Sequence, residues 1–477
     1  MEVDEPVVKK QKVVHGSLAD RSTVEKILKN KAEADATRER VQTFDMKSID
    51  NPHEKAVLAE FDRRRFAKKL NLPTDDIQVK LKLRRCNAPI CLFGEDILDR
   101  RERLRTILSK LSEDEIFAVL HSDDRDKDSQ QQQQDTVTCL RRAELRLQKA
   151  REQAQRSAQE KALVKQETAK YIQSLAIYGS QAAGTRAVSF CEFSPDSKQI
   201  ITGSWDGQCS LWSMPDMNQL RRFNGHAGQL GCARFHPGAY TSIEPEAINA
   251  ASCDSDGRVL LWSLASDQPF AELDKHDARV ARLAFHQTGR FLATCCFDAS
   301  WRLFDLERLD EILFQEGHSK AVFDIDFQPD GSLALSGGLD CYGRVWDLRT
   351  GRCIMFLEGH QKALHTVGWH PNGFIMATGS ADNTVKIWDV RMRRCIYTIA
   401  AHQSLVSRLK IDSTGEYMVT GSFDHSVRIW TTTGWQPLKV LEGHDMKVMG
   451  VDVSPDGKWI ASSSADRTVK LWAKSDM

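Results

Sequence analysis

Serine, histidine and aspartate, the side chains of nucleophilic hydrolysis, recur together three times near the end of the chain. The sets are His360, Ser380 and Asp382; His402, Ser422 and Asp424; and His444, Ser464 and Asp466. A hydrolytic site needs one exposed nucleophile with a base in reach. A set repeated at a fixed interval is instead what a buried, fully paired polar network would produce, so these residues are read as structural. No Gly-rich phosphate loop, paired-carboxylate cluster or metal-ligand spacing accompanies them. The chain has 12 cysteines, most of them inside apolar strand-like runs, as at Cys191, Cys209, Cys253, Cys295 and Cys296. Without facing CxxC pairs they read as buried reduced thiols, and neither a zinc site nor a disulfide framework is expected. The expectation is a protein that is not an enzyme and holds no cofactor or metal.

The elements that position these residues are repeated too. An apolar residue followed by an aromatic closes each unit, with the aromatic at Trp212, Trp262, Phe304, Trp346, Trp388, Trp430 and Trp472. An Asp stands six residues before each (Asp206, Asp256, Asp298, Asp340, Asp382, Asp424 and Asp466), and His276, His318, His360, His402 and His444 precede the last five. Within one unit, Ala363–Trp369 alternates as a strand, Pro371-Asn372-Gly373 turns, and Ile375–Thr378 makes a second strand. Asp382-Asn383 turns again, Val385–Trp388 makes a third strand and Cys395–Ile399 a fourth. Four strands form a blade whose faces only neighbouring blades can cover, so seven close into a ring.

This pattern resembles the WD-repeat family, whose fold is a WD40 propeller. His360, Ser380, Asp382 and Trp388 match that family's His–Ser–Asp–Trp network, as do His402, Ser422, Asp424 and Trp430, and His444, Ser464, Asp466 and Trp472. Blades one to four depart from it through Gly184, Asp254, Cys296 with Phe304, and Gly338, and are expected to rely more on packing than on the polar network. Blade two carries an insertion near Tyr240–Ala247, a loop of possible functional interest. The last blade lacks a strand, for which Ser174–Tyr178 is the natural donor.

The fold expected is thus an all-β seven-bladed propeller over 174–477 with an α-helical N-terminal region. Residues 1–50 read as a flexible or helical tail, with Lys9-Lys10-Gln11-Lys12 as a candidate import patch. Residues 51–121 read as basic and helical, including Arg63, Arg64 and Arg65. Residues 122–173 read as an acidic and glutamine-rich linker, then one long polar helix from Thr136 to about Gln173. The net charge is zero, but the residues before the propeller are net basic and the propeller net acidic. A basic segment invites a polyanion such as RNA. No run long enough to cross a bilayer and no signal-peptide core is read, which implies a soluble intracellular protein.

The segment Val79-Lys80-Leu81-Lys82-Leu83-Arg84, then Pro89-Ile90-Cys91-Leu92-Phe93-Gly94-Glu95-Asp96, then Arg100-Arg101-Glu102-Arg103-Leu104-Arg105, resembles the splicing-factor motif. Joined to seven WD repeats it is similar to the pre-mRNA processing factor four family, the WD-repeat subunits of the U4/U6 small nuclear ribonucleoprotein. The resemblance implies a nuclear scaffold of the U4/U6 and U4/U6·U5 particles in pre-mRNA splicing. It implies as partners pre-mRNA processing factor three, a nuclear cyclophilin, and U4/U6 RNA directly or through proteins. From the residues, Arg84, Arg85, Arg100, Arg101, Arg103 and Arg105 are the candidate RNA or partner contacts of the arm. On the propeller rim, Trp205, Phe297 and Phe423 beside Arg279, Lys320, Lys362 and Lys447 would suit RNA or an acidic peptide. A competing reading is a cullin-four substrate receptor, cued by Trp346-Asp347-Leu348-Arg349 and Trp388-Asp389-Val390-Arg391.

Overall fold

The computed structural model describes residues 65, 70, 72–86, 88, 95–111, 116, 119, 125–274 and 276–474. The expectations for residues 9–12 and for Arg63 and Arg64 lie outside the described residues, as do the side chains of Arg84 and Arg85. Residues Lys69–Met477 form one compact unit, distinct from Met1–Lys68.

The described part opens with two short helices, α1 (Asp76–Arg85) and α2 (Ile97–Leu108). Val79 and Leu83 of α1 bury against Leu104 and Leu108 of α2, with Leu72 beside them. The i, i+4 spacing puts each pair on one helical face, so the period-two alternation of this stretch gives way to a helix. Asp96 caps α2 through a capping box with Asp99.

Two helices follow, α3 (Arg125–Gln155) and α4 (Ala158–Ser174). Two corrections arise here. The glutamine tract is not a flexible linker but lies inside α3, in keeping with the helical propensity of Gln. The single long helix is interrupted at Ser157, whose side chain accepts from Glu160 N at 3.2 Å while Glu160 returns a bond to Ser157 N. That S-x-x-E capping box starts a new helix. No helix among the described residues is long and apolar enough to cross a membrane.

From Leu175 onward the described residues form seven four-stranded antiparallel sheets. Each sheet uses four consecutive strands except the seventh, where β1 (Leu175–Ala182) pairs with β28 (Thr468–Lys474) and so supplies the outer strand. The donor is longer than Ser174–Tyr178. Leu175 and, from α4, Ile172 are buried in the seventh-blade core with Leu441, Val451 and Trp472. The first strand of every blade carries a bulge at one position, for example between Val322 and Asp324. The innermost strands contact one another in order, and the last, β26 (Val448–Val453), returns to β2 (Val188–Phe193) to close the ring.

Antiparallel order gives the propeller two unlike rims. The upper rim carries the loops before each first strand and the turns between second and third strands; the turns after each first strand lie on the lower rim. Helix α3 lies along that lower rim. Arg146 binds Asp330 with Nη2 at 2.6 Å and the Asn372 carbonyl with Nη1, and Arg142 reaches the Gln287 carbonyl at 3.0 Å. Farther on, Tyr171 of α4 donates to the Lys458 carbonyl at 2.6 Å. These contacts are on the turns of blades three, four, five and seven, so the polar helix is docked rather than a free spacer. The blade-two insertion also belongs to the lower rim and is tied down: Asn249 Nδ2 donates to the Glu244 and Ala247 carbonyls at 2.9 Å.

Candidate binding faces of the propeller

In blade five His360 donates from Nδ1 to Asp382 Oδ2 at 2.8 Å, and Thr378 Oγ1 donates to His360 Nε2 at 2.8 Å. Thr378 Oγ1 in turn accepts from Trp388 Nε1 at 2.8 Å. The tautomer follows from the network, because a carboxylate only accepts. Blade six repeats this through His402, Asp424, Thr420 and Trp430, and blade seven through His444, Asp466, Ser462 and Trp472. The hydroxyl of the network is therefore not Ser380, Ser422 or Ser464 but the residue two positions earlier. Residues two apart share a strand face, and only the deeper one meets the indole. Ser380 donates instead to the Lys362 carbonyl at 2.9 Å and accepts from Asp382 N at 3.1 Å; Ser422 and Ser464 do the same on Ser404 and Met446.

Blades two and four correct the expectation that packing would replace the network there. His226 joins Asp254 at 2.8 Å and Ser252 at 2.6 Å, and Trp262 donates to Ser252. The Asp at the expected serine position takes over from Asp256, and His226 lies outside the regular spacing. In blade four His318 joins Asp340 and Ser336, and Gly338 leaves the array intact. Blades one and three do lack it. In blade one Thr185 N donates to Asp206 at 2.8 Å in place of a histidine. In blade three His276 keeps only Thr294 at 3.1 Å, Phe304 offers no N–H, and His276 Nδ1 is buried without a partner.

These networks are closed to substrate: Thr378, Thr420, Ser252, Ser336 and Ser462 are all fully buried. Burial alone would raise the Asp382 pKa, but hydrogen bonds from His360 and Thr384 hold it well below the usual carboxylate range. The one group of ligating side chains among the described residues that could hold a metal ion is His276, Cys296 and Asp298, within 4.8 Å of one another. Burial pushes the Cys296 thiol up to about 11, and the Arg302 guanidinium sits 3.3 Å from Asp298. Both oppose a cation, and the trio reads as the remnant of blade three's network.

On the lower rim, histidines tie blade two to three, three to four and five to six. His236 Nε2 donates to the Gly289 carbonyl at 2.8 Å, His286 to Gly331 at 2.8 Å and His370 to Gly415 at 3.1 Å. In His236 and His370 the other ring nitrogen accepts a backbone N–H, from Gly238 and Asn372. Gly289, at φ +82°, leaves no room for a Cβ beside the His236 ring. Burial lowers the pKa of all three histidines, and burial with nearby Arg302 lowers that of His276 from 6.5 to about 4. Such groups bind more protons unfolded than folded. Their contribution is complete above pH 6.5 and is lost as pH falls towards the folded pKa. His276 alone should remove about 2 kcal/mol between pH 6.5 and 5. Urea unfolding at the two pH values measures this, and His276→Gln should flatten the slope; a stability unchanged at pH 5 would contradict the assignment.

The rim residues expected from sequence come together as aromatic–cation pairs on the upper rim. Arg279 lies 5.4 Å from the Phe297 ring centre, and Lys447 of blade seven lies 4.9 Å from Phe423 of blade six. Trp205 and Arg186 line an open cleft of about 650 Å³ between blades one and two, with Gly228, Gln229 and Asp256. Lys320 and Lys362 are exposed but are not part of such a pair among the described residues. In the helix pair the arginines are occupied internally. Arg100 is 3% exposed and ion-paired with Asp76 and Glu95, which withdraws it from any partner. Arg103 pairs with Glu95 at 2.6 Å, Arg105 with Glu102, and Arg101 donates to the Leu72 carbonyl at 2.8 Å. Arg65 is exposed. Arg391 of the second WDxR sequence folds back on Asp389 at 2.8 Å. Arg142 and Arg146 were not singled out by sequence reasoning, since nothing in an all-polar helix marks which arginine docks.

The family model "WD domain, G-beta repeat" matches the chain seven times, at residues 173–213, 217–263, 267–305, 310–347, 351–389, 393–431 and 435–473. The model "pre-mRNA processing factor 4 (PRP4) like" matches residues 79–107, the span of α1 and α2. The chain is 45% identical to the U4/U6 small nuclear ribonucleoprotein Prp4 of Homo sapiens and to that of Pongo abelii, over 61% of this chain and 62% of each relative. It is 28% identical to the U4/U6 small nuclear ribonucleoprotein PRP4 of Saccharomyces cerevisiae, over 52% of this chain and 56% of that protein. The chain thus spans less than two thirds of the length of these relatives.

Proposed function

From the premise that the chain belongs to the WD-repeat family and carries a pre-mRNA processing factor 4-like segment, we propose that it is a non-catalytic scaffold of the U4/U6 small nuclear ribonucleoprotein and the U4/U6·U5 particle. The observation that carries this reading is the pairing of the segment at 79–107 with seven repeats, together with relatives named for the U4/U6 particle. The buried hydroxyls support a platform over a hydrolase. On this reading the protein acts in the nucleus. Its partners are pre-mRNA processing factor three, a nuclear cyclophilin and the U4/U6 RNA, the last directly or through proteins.

The two rims divide the work in this proposal. Helix α3 already occupies the turns of blades three to five below, so new partners meet the upper rim, through the Arg279–Phe297 and Lys447–Phe423 pairs and the cleft at Trp205. Stacking beside a cation suits an unpaired base and its phosphate. The arm contributes the outer edges of Arg101, Arg103 and Arg105, which are only half-buried. The test is purification of the tagged full chain from nuclear extract with sequencing of the small RNA that accompanies it. U4 and U6 should dominate; cullin and its adaptor without either RNA would favour the receptor reading.

A further inference from the structure

The channel enclosed by the seven inner strands is lined with charge, and side chains from blades that are not neighbours meet across it. Arg408 of blade six pairs with Asp324 of blade four at 2.8 Å. Arg234 and Lys410 have carboxylates in Glu192 and Asp452, at 3.9 and 3.1 Å. Arg282 of blade three has none. It is 5% exposed, it makes no ion pair among the described residues, and its Nε and Nη1 are buried without a partner. Asp324 is already engaged by Arg408 and by Val367 N at 3.0 Å.

Aromatic rings hold Arg282 in place. Its guanidinium lies 4.8 Å from the centre of Phe190, a ring that Arg408 and Arg234 also approach, at 5.0 and 5.7 Å. On the other side it lies 5.9 Å from Phe323. Phe323 is the bulge residue of its strand and forms a lip at the upper rim, 6.5 Å from Phe297 and 4.9 Å from His365. Such contacts recover only part of the cost of burying a cation without a counter-ion. Burial, and then the nearby Arg408, lower the Arg282 pKa, as burial beside a like charge should.

We propose that the upper mouth of the central channel receives the carboxylate of an aspartate or glutamate side chain from a partner protein, bound by Arg282 beneath the lip of Phe297, Phe323 and His365. A guanidinium fork matches a carboxylate in shape and charge. The depth of Arg282 selects the source. A carboxylate ends a thin side-chain stem, whereas a backbone phosphate carries a sugar on each side and cannot reach a group so little exposed. The aromatic lip suits apolar residues flanking the acid. Carboxylate binding at Arg282 does not depend on membership in the U4/U6 particle.

The probe is fluorescein-labelled hexaglutamate, with hexaglutamine as the blank and an oligouridylate as the nucleic-acid comparison, titrated onto the full chain at low salt and followed by anisotropy. Hexaglutamate should bind and hexaglutamine should not. Arg282→Gln should weaken hexaglutamate at least about ten-fold, the loss of a charge-assisted contact, and leave oligouridylate unchanged. Its melting temperature should hold or rise, because an unpaired buried charge has gone. Unchanged or absent hexaglutamate binding, selective loss of oligouridylate, or a fall in melting temperature would each overturn the proposal; the last would make Arg282 a structural group.

Discussion

Thr378→Val is expected to destabilise the propeller by about 3 kcal/mol, because it strands two buried polar groups at once. The hydroxyl is fully buried; it donates to His360 Nε2 and accepts from Trp388 Nε1. Valine keeps the shape of threonine, so packing is unchanged and the loss reports the hydrogen bonds. Water cannot replace them at that depth. Ser380→Ala is the control: Ser380 is fully buried too, but its bonds to the Lys362 carbonyl and from Asp382 N are only part-buried, so the backbone groups it leaves can turn to water. It should cost less than half as much. Urea unfolding of both variants decides the matter, and equal losses, or a larger loss for Ser380→Ala, would return the network role to Ser380.

A chain beginning at residue 188 should fail to give a soluble, cooperatively melting propeller, whereas one beginning at 158 should melt cooperatively. The shorter chain lacks β1, which pairs with β28 along its whole length, and so leaves the seventh blade with an open edge, a template for aggregation. It also lacks Ile172 and Leu175, which bury against Trp472 and Leu441; two such side chains are worth about 3–6 kcal/mol. The chain from 158 keeps all of these, while it lacks α1 and α2 and the contacts that α3 makes with the lower rim, those of Arg142 and Arg146 among them. Calorimetry with size-exclusion chromatography reads both, and equal melting of the two chains would show that the pairing of β1 with β28 is not what holds the ring.

The ring was legible because its signal is periodic. Trp388 and its six counterparts mark the third strands, and the turns at Pro371–Gly373 and Asp382-Asn383 mark the reversals. The missing strand of the last blade also followed from counting. What escaped were facts set by depth and by contacts distant in sequence. Thr378 and Ser380 share a strand face, and only the indole of Trp388 tells them apart. His226 stands 28 residues before its partner Asp254 instead of 22, so the spacing rule passed over it. The charge of Arg100 suggested a surface for RNA, but Asp76, 24 residues earlier, folds back to claim it. The Ser157–Glu160 capping box was present in the sequence and was overrun by the polar pattern on either side. The Arg282 site could not have been read at all, since Phe190 and Arg408 join it only when the ring closes.

The scaffold account is tested most directly by sedimentation. Nuclear extract containing the tagged full chain is separated on a gradient, and each fraction is probed for the chain and for U4 and U6 RNA. The account predicts that the chain peaks with both RNAs, in the U4/U6 and the larger U4/U6·U5 fractions, and shifts to light fractions after ribonuclease treatment. A chain that sediments apart from both RNAs before any treatment would contradict it.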